Sequence, residues 1–188
     1  MTTPISRALA DAREKVEAAL TGAASPDETR RWQRCRNYLD TISVREPRAF
    51  VSYHKTDGAA YYETLKAAFE KRKFEAVSGF DVIPGEVIVA DKVLHRLRTS
   101  AVYVGILTPD VPTADGRGAP SIWTLEERGM AIALKKPFVL MVHHKVHSSF
   151  VSTSRGYLHH RFTEQDFAQK VQETLNDVIR LYTDLDHT

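Results

Sequence analysis

The feature that most constrains this chain is a change of period at Pro47. Beyond it, short apolar runs alternate with stretches of helical spacing. Ala49-Phe50-Val51-Ser52-Tyr53, Ala101-Val102-Tyr103-Val104-Gly105-Ile106-Leu107 and Phe138-Val139-Leu140-Met141-Val142 are such runs. A run this short and this apolar reads as a strand covered on both faces. Alternation with helices is the pattern of βαβ units around a parallel sheet. The sequence therefore predicts an α/β domain with a mostly parallel sheet of four to five strands flanked by helices.

The remaining elements follow from spacing and caps. Ile5, Leu9, Ala12, Val16 and Leu20 form one helical stripe, and Trp32, Cys35, Leu39 and Ile42 form another after the break Thr21–Asp27. They predict an N-terminal helical hairpin over 1–46, serving as a brace or a self-association surface, with the main domain over 47–188. Within that domain Asp57 is expected to cap a helix carrying Tyr61, Leu65, Ala68 and Phe69. Phe74–Phe80 reads as a second, weaker strand, followed by a helix with Ala90, Val93, Leu94 and Leu97. Thr108–Pro120, with three prolines and two glycines, reads as a long loop. A helix from Ser121 to about Lys135 follows, then an edge strand over Tyr157–Phe162 and a final helix capped by Thr163.

Composition removes several function classes. Lys+Arg 26 against Asp+Glu 24 gives a net charge of +2 with the signs interspersed, so nucleic-acid binding has no electrostatic support. One cysteine, Cys35, allows neither an intramolecular disulfide nor a thiolate metal site. No apolar stretch approaches the ~20 residues that span a bilayer, and the N-terminus does not read as a signal peptide, so a cytoplasmic protein without membrane contact is expected. GxGxxG, P-loop and GxSxG motifs are absent. His143, His144, His147, His159 and His160 match no HExxH spacing and read as strand-end or surface histidines, so no metal is expected.

In open parallel sheets ligands bind beyond the carboxyl ends of the strands, which brings Tyr53–Asp57, Asp81–Glu86 and Thr108–Glu127 to one rim. On a helical wheel Ile122, Leu125, Gly129 and Ile132 cluster on the side expected to face the sheet. Trp123, Glu127, Met130 and Leu134 fall on another, and Glu126 lies nearer the core flank. A carboxylate beside a large aromatic suggests a partly desolvated acid next to a stacking platform.

Three segments resemble TIR domains. Arg48-Ala49-Phe50-Val51-Ser52-Tyr53 resembles their first-strand motif, Ile83-Pro84-Gly85 their BB loop, and Ser121-Ile122-Trp123-Thr124-Leu125-Glu126-Glu127 their S-x-W-x-x-x-E segment. The resemblance covers roughly residues 47 to 183 and implies a flavodoxin-like TIR fold. Many TIR domains cleave the nicotinamide–ribose bond of NAD+ with the glutamate four residues after the tryptophan. It thus implies Glu127 as catalytic residue, NAD+ as substrate rather than cofactor, and Ser52, Tyr53, His54, Lys55, Val87 and Trp123 as its contacts. His54-Lys55 stands where the family commonly has an arginine. The resemblance further implies self-association through an assembly loop Val82, Ile83, Pro84 and Gly85, a separate sensor or effector partner, and a role in antiphage or other immune signalling. Two other functions stay open: a non-catalytic TIR interaction module, with Met130 and Leu134 as contacts, and an enzyme like the nucleoside deoxyribosyltransferases.

Overall fold

The computed structural model describes residues 4–43, 47–80, 89–151 and 158–185. The chain divides into two compact units, Met1–Glu46 and Pro47–Thr188. In the first, α1 (Pro4–Thr21) and α2 (Pro26–Ser43) pack on each other. Their turn is encoded by Ser25-Pro26-Asp27-Glu28. Pro26 occupies the first helical position, where a missing N–H costs nothing. Ser25 Oγ accepts the Glu28 amide at 3.2 Å, while the Glu28 carboxylate reaches back to the Ala24 amide at 3.1 Å. Cys35 is half-buried.

The second unit runs β1 (Arg48–Ser52), α3 (Ala59–Lys71), β2 (Glu75–Val77), α4 (Val89–Thr99), β3 (Val102–Leu107), β4 (Val111–Pro112), β5 (Gly118–Ala119), α5 (Ile122–Ala133), β6 (Phe138–His143), β7 (Leu158–Phe162) and α6 (Phe167–Leu185). Five strands form one sheet in the order β2-β1-β3-β6-β7, every neighbouring pair parallel. The α/β fold with a parallel five-stranded sheet is thus present. Alternation sorts the side chains. Val51, Val104, Ile106 and Met141 pack with Leu65, Phe69, Val171 and Leu175 against α3 and α6. Phe50, Tyr103, Leu107, Leu140 and Val142 pack with Val93, Leu97 and Ala131 on the α4 and α5 side. Each fully buried Leu, Phe or Val contributes about 1.5–3 kcal/mol. A one-residue slip would exchange the two faces, so these burials pin the register that sets Ser52 opposite Gly105.

Three local expectations are corrected and a fourth is met. Asp57 makes no cap, because Gly58 is the N-cap of α3 without a side-chain bond and Asp57 instead bonds His54 Nδ1 at 2.6 Å. Thr163 precedes α6 by a turn, where its amide and hydroxyl both donate to Asp166 Oδ1 at 2.6 and 2.9 Å. The second strand is only Glu75–Val77, because Ser78 bonds back to the Phe80 amide at 3.2 Å and turns the chain. Of the predicted edge strand, Leu158–Phe162 is at the sheet edge, and Tyr157 lies outside the described residues.

The 108–120 segment is not a plain loop, since β4 and β5 pair antiparallel across Val111–Ala119 and Pro112–Gly118. Strands of two residues carry no readable alternation. Gly118 ties this hairpin to the loop after β6, donating to the Lys145 carbonyl at 2.9 Å and accepting from the His147 amide at 3.0 Å. A Cβ there would lie 2.3 Å from Pro109 Cβ and 2.8 Å from its Cα. Gly118→Ala is accordingly expected to cost about 1–3 kcal/mol, the range for overpacking, read as a lowered denaturant midpoint.

Candidate active site

The connections from β1 run to β2 on one side and, by way of β2 and α4, to β3 on the other. The crevice beyond the carboxyl ends of β1 and β3 is therefore the topological switch point, the place where open α/β sheets bind ligands. Ser52 ends β1 on the α4 and α5 side, and α5 follows β3 to cover the same crevice.

The buried face of α5 is Thr124, Glu127 and Ala131. This corrects the predicted face. Ile122 is 75% exposed, Gly129 is exposed, and Leu125 and Ile132 are only half-buried. Glu126 is exposed rather than on a core flank. Trp123, Met130, Ile132 and Leu134 are half-buried and pack on the apolar cluster of the α4 and α5 side. The physical reason is that α5 lies close on β1 and β3, where short side chains fit, and a carboxylate tolerates the core if it has a partner. Apolar periodicity alone aims the helix at its greasiest side.

Glu127 is 2% exposed and accepts a hydrogen bond on Oε2 from Ser52 Oγ. Among the described residues its other oxygen, Oε1, has no hydrogen-bond partner, and neither has the buried Trp123 indole N–H. The indole N–H nevertheless stabilises the carboxylate from outside strict hydrogen-bond geometry. Burial dominates, however, and pushes the Glu127 carboxyl up to about 7 against the opposing pull of Ser52 and Trp123. A Cβ on Gly79 would stand 2.7 Å from Oε1, so the missing side chain of that glycine leaves the free oxygen its space. Tyr103 is fully buried beside the pair, its phenol raised by burial.

The structure thus brings Ser52, Trp123 and Glu127 together. It does not bring Tyr53 to them: one residue beyond Ser52, it turns to the opposite face, where its ring stacks on Tyr62 at 4.5 Å and meets Phe80 at 5.2 Å. His54 is engaged with Asp57 and lies 3.7 Å from Asp110, and Lys55 is exposed. Val87 and the assembly loop Val82, Ile83, Pro84 and Gly85 lie outside the described residues. Gly79 and Tyr103 were missed. Tyr103 reads in sequence as one more apolar strand residue, although tyrosine in a buried run signals a hydroxyl that needs a partner.

Among the described residues one group has the makings of a metal site: His143, His144 and Glu164, with ligand atoms within 4.8 Å of one another. The bonds there favour another role. His143 Nδ1 accepts the Lys145 amide at 3.3 Å, so the neutral ring carries its proton on Nε2 and donates to Glu164 Oε1 at 3.0 Å. A metal-bound imidazole donates from its free nitrogen instead. Among the described residues no helix is long and apolar enough to cross a membrane.

No protein-family model and no curated protein matches the chain. Among solved structures, the Clostridium botulinum CMP N-glycosidase BcmB is similar, with a TM-score of 0.46 and 20% identity over 67% of this chain and 98% of that one. Similarity at that level carries no inference about chemistry.

Proposed function

We propose that the protein is an N-ribosyl hydrolase that cleaves the nicotinamide–ribose bond of NAD+ through Glu127. The observation that carries the reading is a buried carboxylate at the switch point, with one oxygen held by Ser52 and the other without a hydrogen-bond partner among the described residues. Keeping such a group costs stability, which is the usual mark of a functional acid. What best complements it is a positive charge brought to the carboxylate.

A pyridinium riboside supplies that charge. The C1′–N bond breaks with its electron pair moving to the ring nitrogen, which leaves as neutral nicotinamide. The ribose becomes oxocarbenium-like and faces Glu127 Oε1; water then adds at C1′ and loses a proton. Leaving nicotinamide needs no general acid. That suits this site, because Tyr103 beside the carboxylate is pushed by burial away from proton donation. The segment Ser121–Glu127 adds its resemblance to the TIR motif. A base nitrogen in place of water would give a cyclic product.

The test is release of nicotinamide by the purified protein, measured at dilute and at crowded concentration, beside a panel of deoxynucleosides and CMP. Nicotinamide release that disappears in Glu127→Ala supports the reading. Equal release by that variant overturns it, and base release from the panel but not from NAD+ replaces the substrate.

A further inference from the structure

We propose that His54, oriented by Asp57, is the general base of the hydrolysis and takes the proton that the attacking water loses at C1′. The inference deepens the N-ribosyl hydrolase reading and rests on it.

Two segments place the ring. His54 lies two residues beyond Ser52, where the chain leaves β1, and its Nδ1 bonds Asp57 at 2.6 Å before α3 begins. The same nitrogen lies 3.7 Å from Asp110, in the segment that leaves β3. A ring in contact with both segments stands at the carboxyl ends of β1 and β3, at the mouth of the crevice that holds Ser52 and Glu127. Its side chain is 27% exposed, so water reaches it.

Proton counting gives the role. An ionised carboxylate only accepts, so Asp57 holds the ring proton on Nδ1, and in the neutral ring Nε2 then carries the lone pair. Among the described residues Nε2 has no partner. His143, His147 and His160, the other described histidines that are not exposed, use both nitrogens. His143 meets the Lys145 amide and Glu164, His147 the Ser149 amide and Asp115, and His160 Glu173 and Asp177. His54 is the one among these four with an uncommitted acceptor, and it is the one at the crevice.

The step balances without a further reactant. With Glu127 Oε1 against C1′ as nicotinamide leaves, a water adding at the open face of the ribose is out of its reach. A water lone pair forms the O–C1′ bond, and a water proton passes to His54 Nε2 while its bonding pair stays on oxygen. The imidazolium so formed lies beside Asp57 and Asp110, whose charges stabilise it until the proton leaves to solvent. Asp57 touches no substrate and is a positioning residue.

The experiment has two arms. Without substrate, proton–nitrogen NMR of the histidine rings reads the tautomer of neutral His54, its signal identified by its loss in His54→Ala. The Nδ1–H form is expected in the parent, shifting toward Nε2–H in Asp57→Ala. An Nε2–H ring in the parent overturns the proposal. With substrate, kcat for nicotinamide release is expected to fall about 10²–10⁴-fold in His54→Ala with KM near the parent's. Added azide, an anion with no proton to lose, should restore release in that variant and yield the ribosyl azide. Parent-like hydrolysis by His54→Ala, or a loss that azide does not restore, overturns the base while leaving the hydrolase reading intact. A parent that cleaves a deoxynucleoside or CMP instead of NAD+ changes only the substrate of this arm. A parent that cleaves none of them fails the hydrolase reading, and this proposal with it.

Discussion

Glu127→Gln is expected to lose base release and, in the same molecule, to melt higher than the parent above pH 7. The first effect follows from charge. The amide keeps the shape of the side chain but presents no anion to the oxocarbenium-like ribose, and removing such a stabiliser costs on the order of 10³-fold in kcat. The second follows from linkage. The carboxyl binds its proton more tightly in the folded chain, near 7, than at its ordinary value of 4.5. Its contribution is therefore most favourable below about pH 4.5, is lost as pH rises through 7, and is flat beyond. At pH 8 the parent carries the whole penalty of an ionised buried carboxylate, at most about 3 kcal/mol. Glutamine does not titrate, so the two melting temperatures should converge near pH 4.5 and separate above it. A difference independent of pH would refute the burial account. By the same reasoning kcat/KM of the parent should rise through about pH 7, because the reacting form is the anion.

Gly79→Ala should be nearly as damaging to turnover while sparing the fold. The added Cβ would meet Glu127 Oε1 at 2.7 Å and Val93 Cγ2 at 3.3 Å. The carboxylate is the softer of the two, but it can retreat only by weakening its bond from Ser52. Displacing a reacting oxygen by about 1 Å costs on the order of 10²-fold. The expected result is a fall of that order in kcat with melting temperature close to the parent's, measured at a pH above 7 where Glu127 is ionised. Parent-like turnover would show that the oxygen facing Gly79 is not the one that reacts.

The fold was largely legible because burial on both faces leaves a plain signature. The run Ala101–Leu107 became β3 over Val102–Leu107, and Phe138–Val142 became β6, both buried at every residue. Helices with a single apolar stripe were equally readable, as Leu65 and Phe69 in α3 or Val171, Leu175 and Val178 in α6 show. Short features were not. The hairpin of β4 and β5 rests on Gly118 bonding to a segment almost thirty residues further on, which local pattern does not contain.

The site divides in the same way. From sequence alone, the resemblance pointed to Glu127 and the apolar runs to a parallel sheet, because residue type and spacing are local quantities. Only the tertiary structure decided which way Glu127 points. The wheel put it on a face away from the sheet, but packing of α5 on β1 and β3 turned it inward to Ser52, whose bond offsets part of the cost of burial. The same packing sent Tyr53 to the far side of the sheet and brought Tyr103 and Gly79 to the carboxylate. Desolvation and hydrogen-bond partners depend on what lies across the sheet, and residues 75 positions apart, such as Ser52 and Glu127, meet only once the chain has folded.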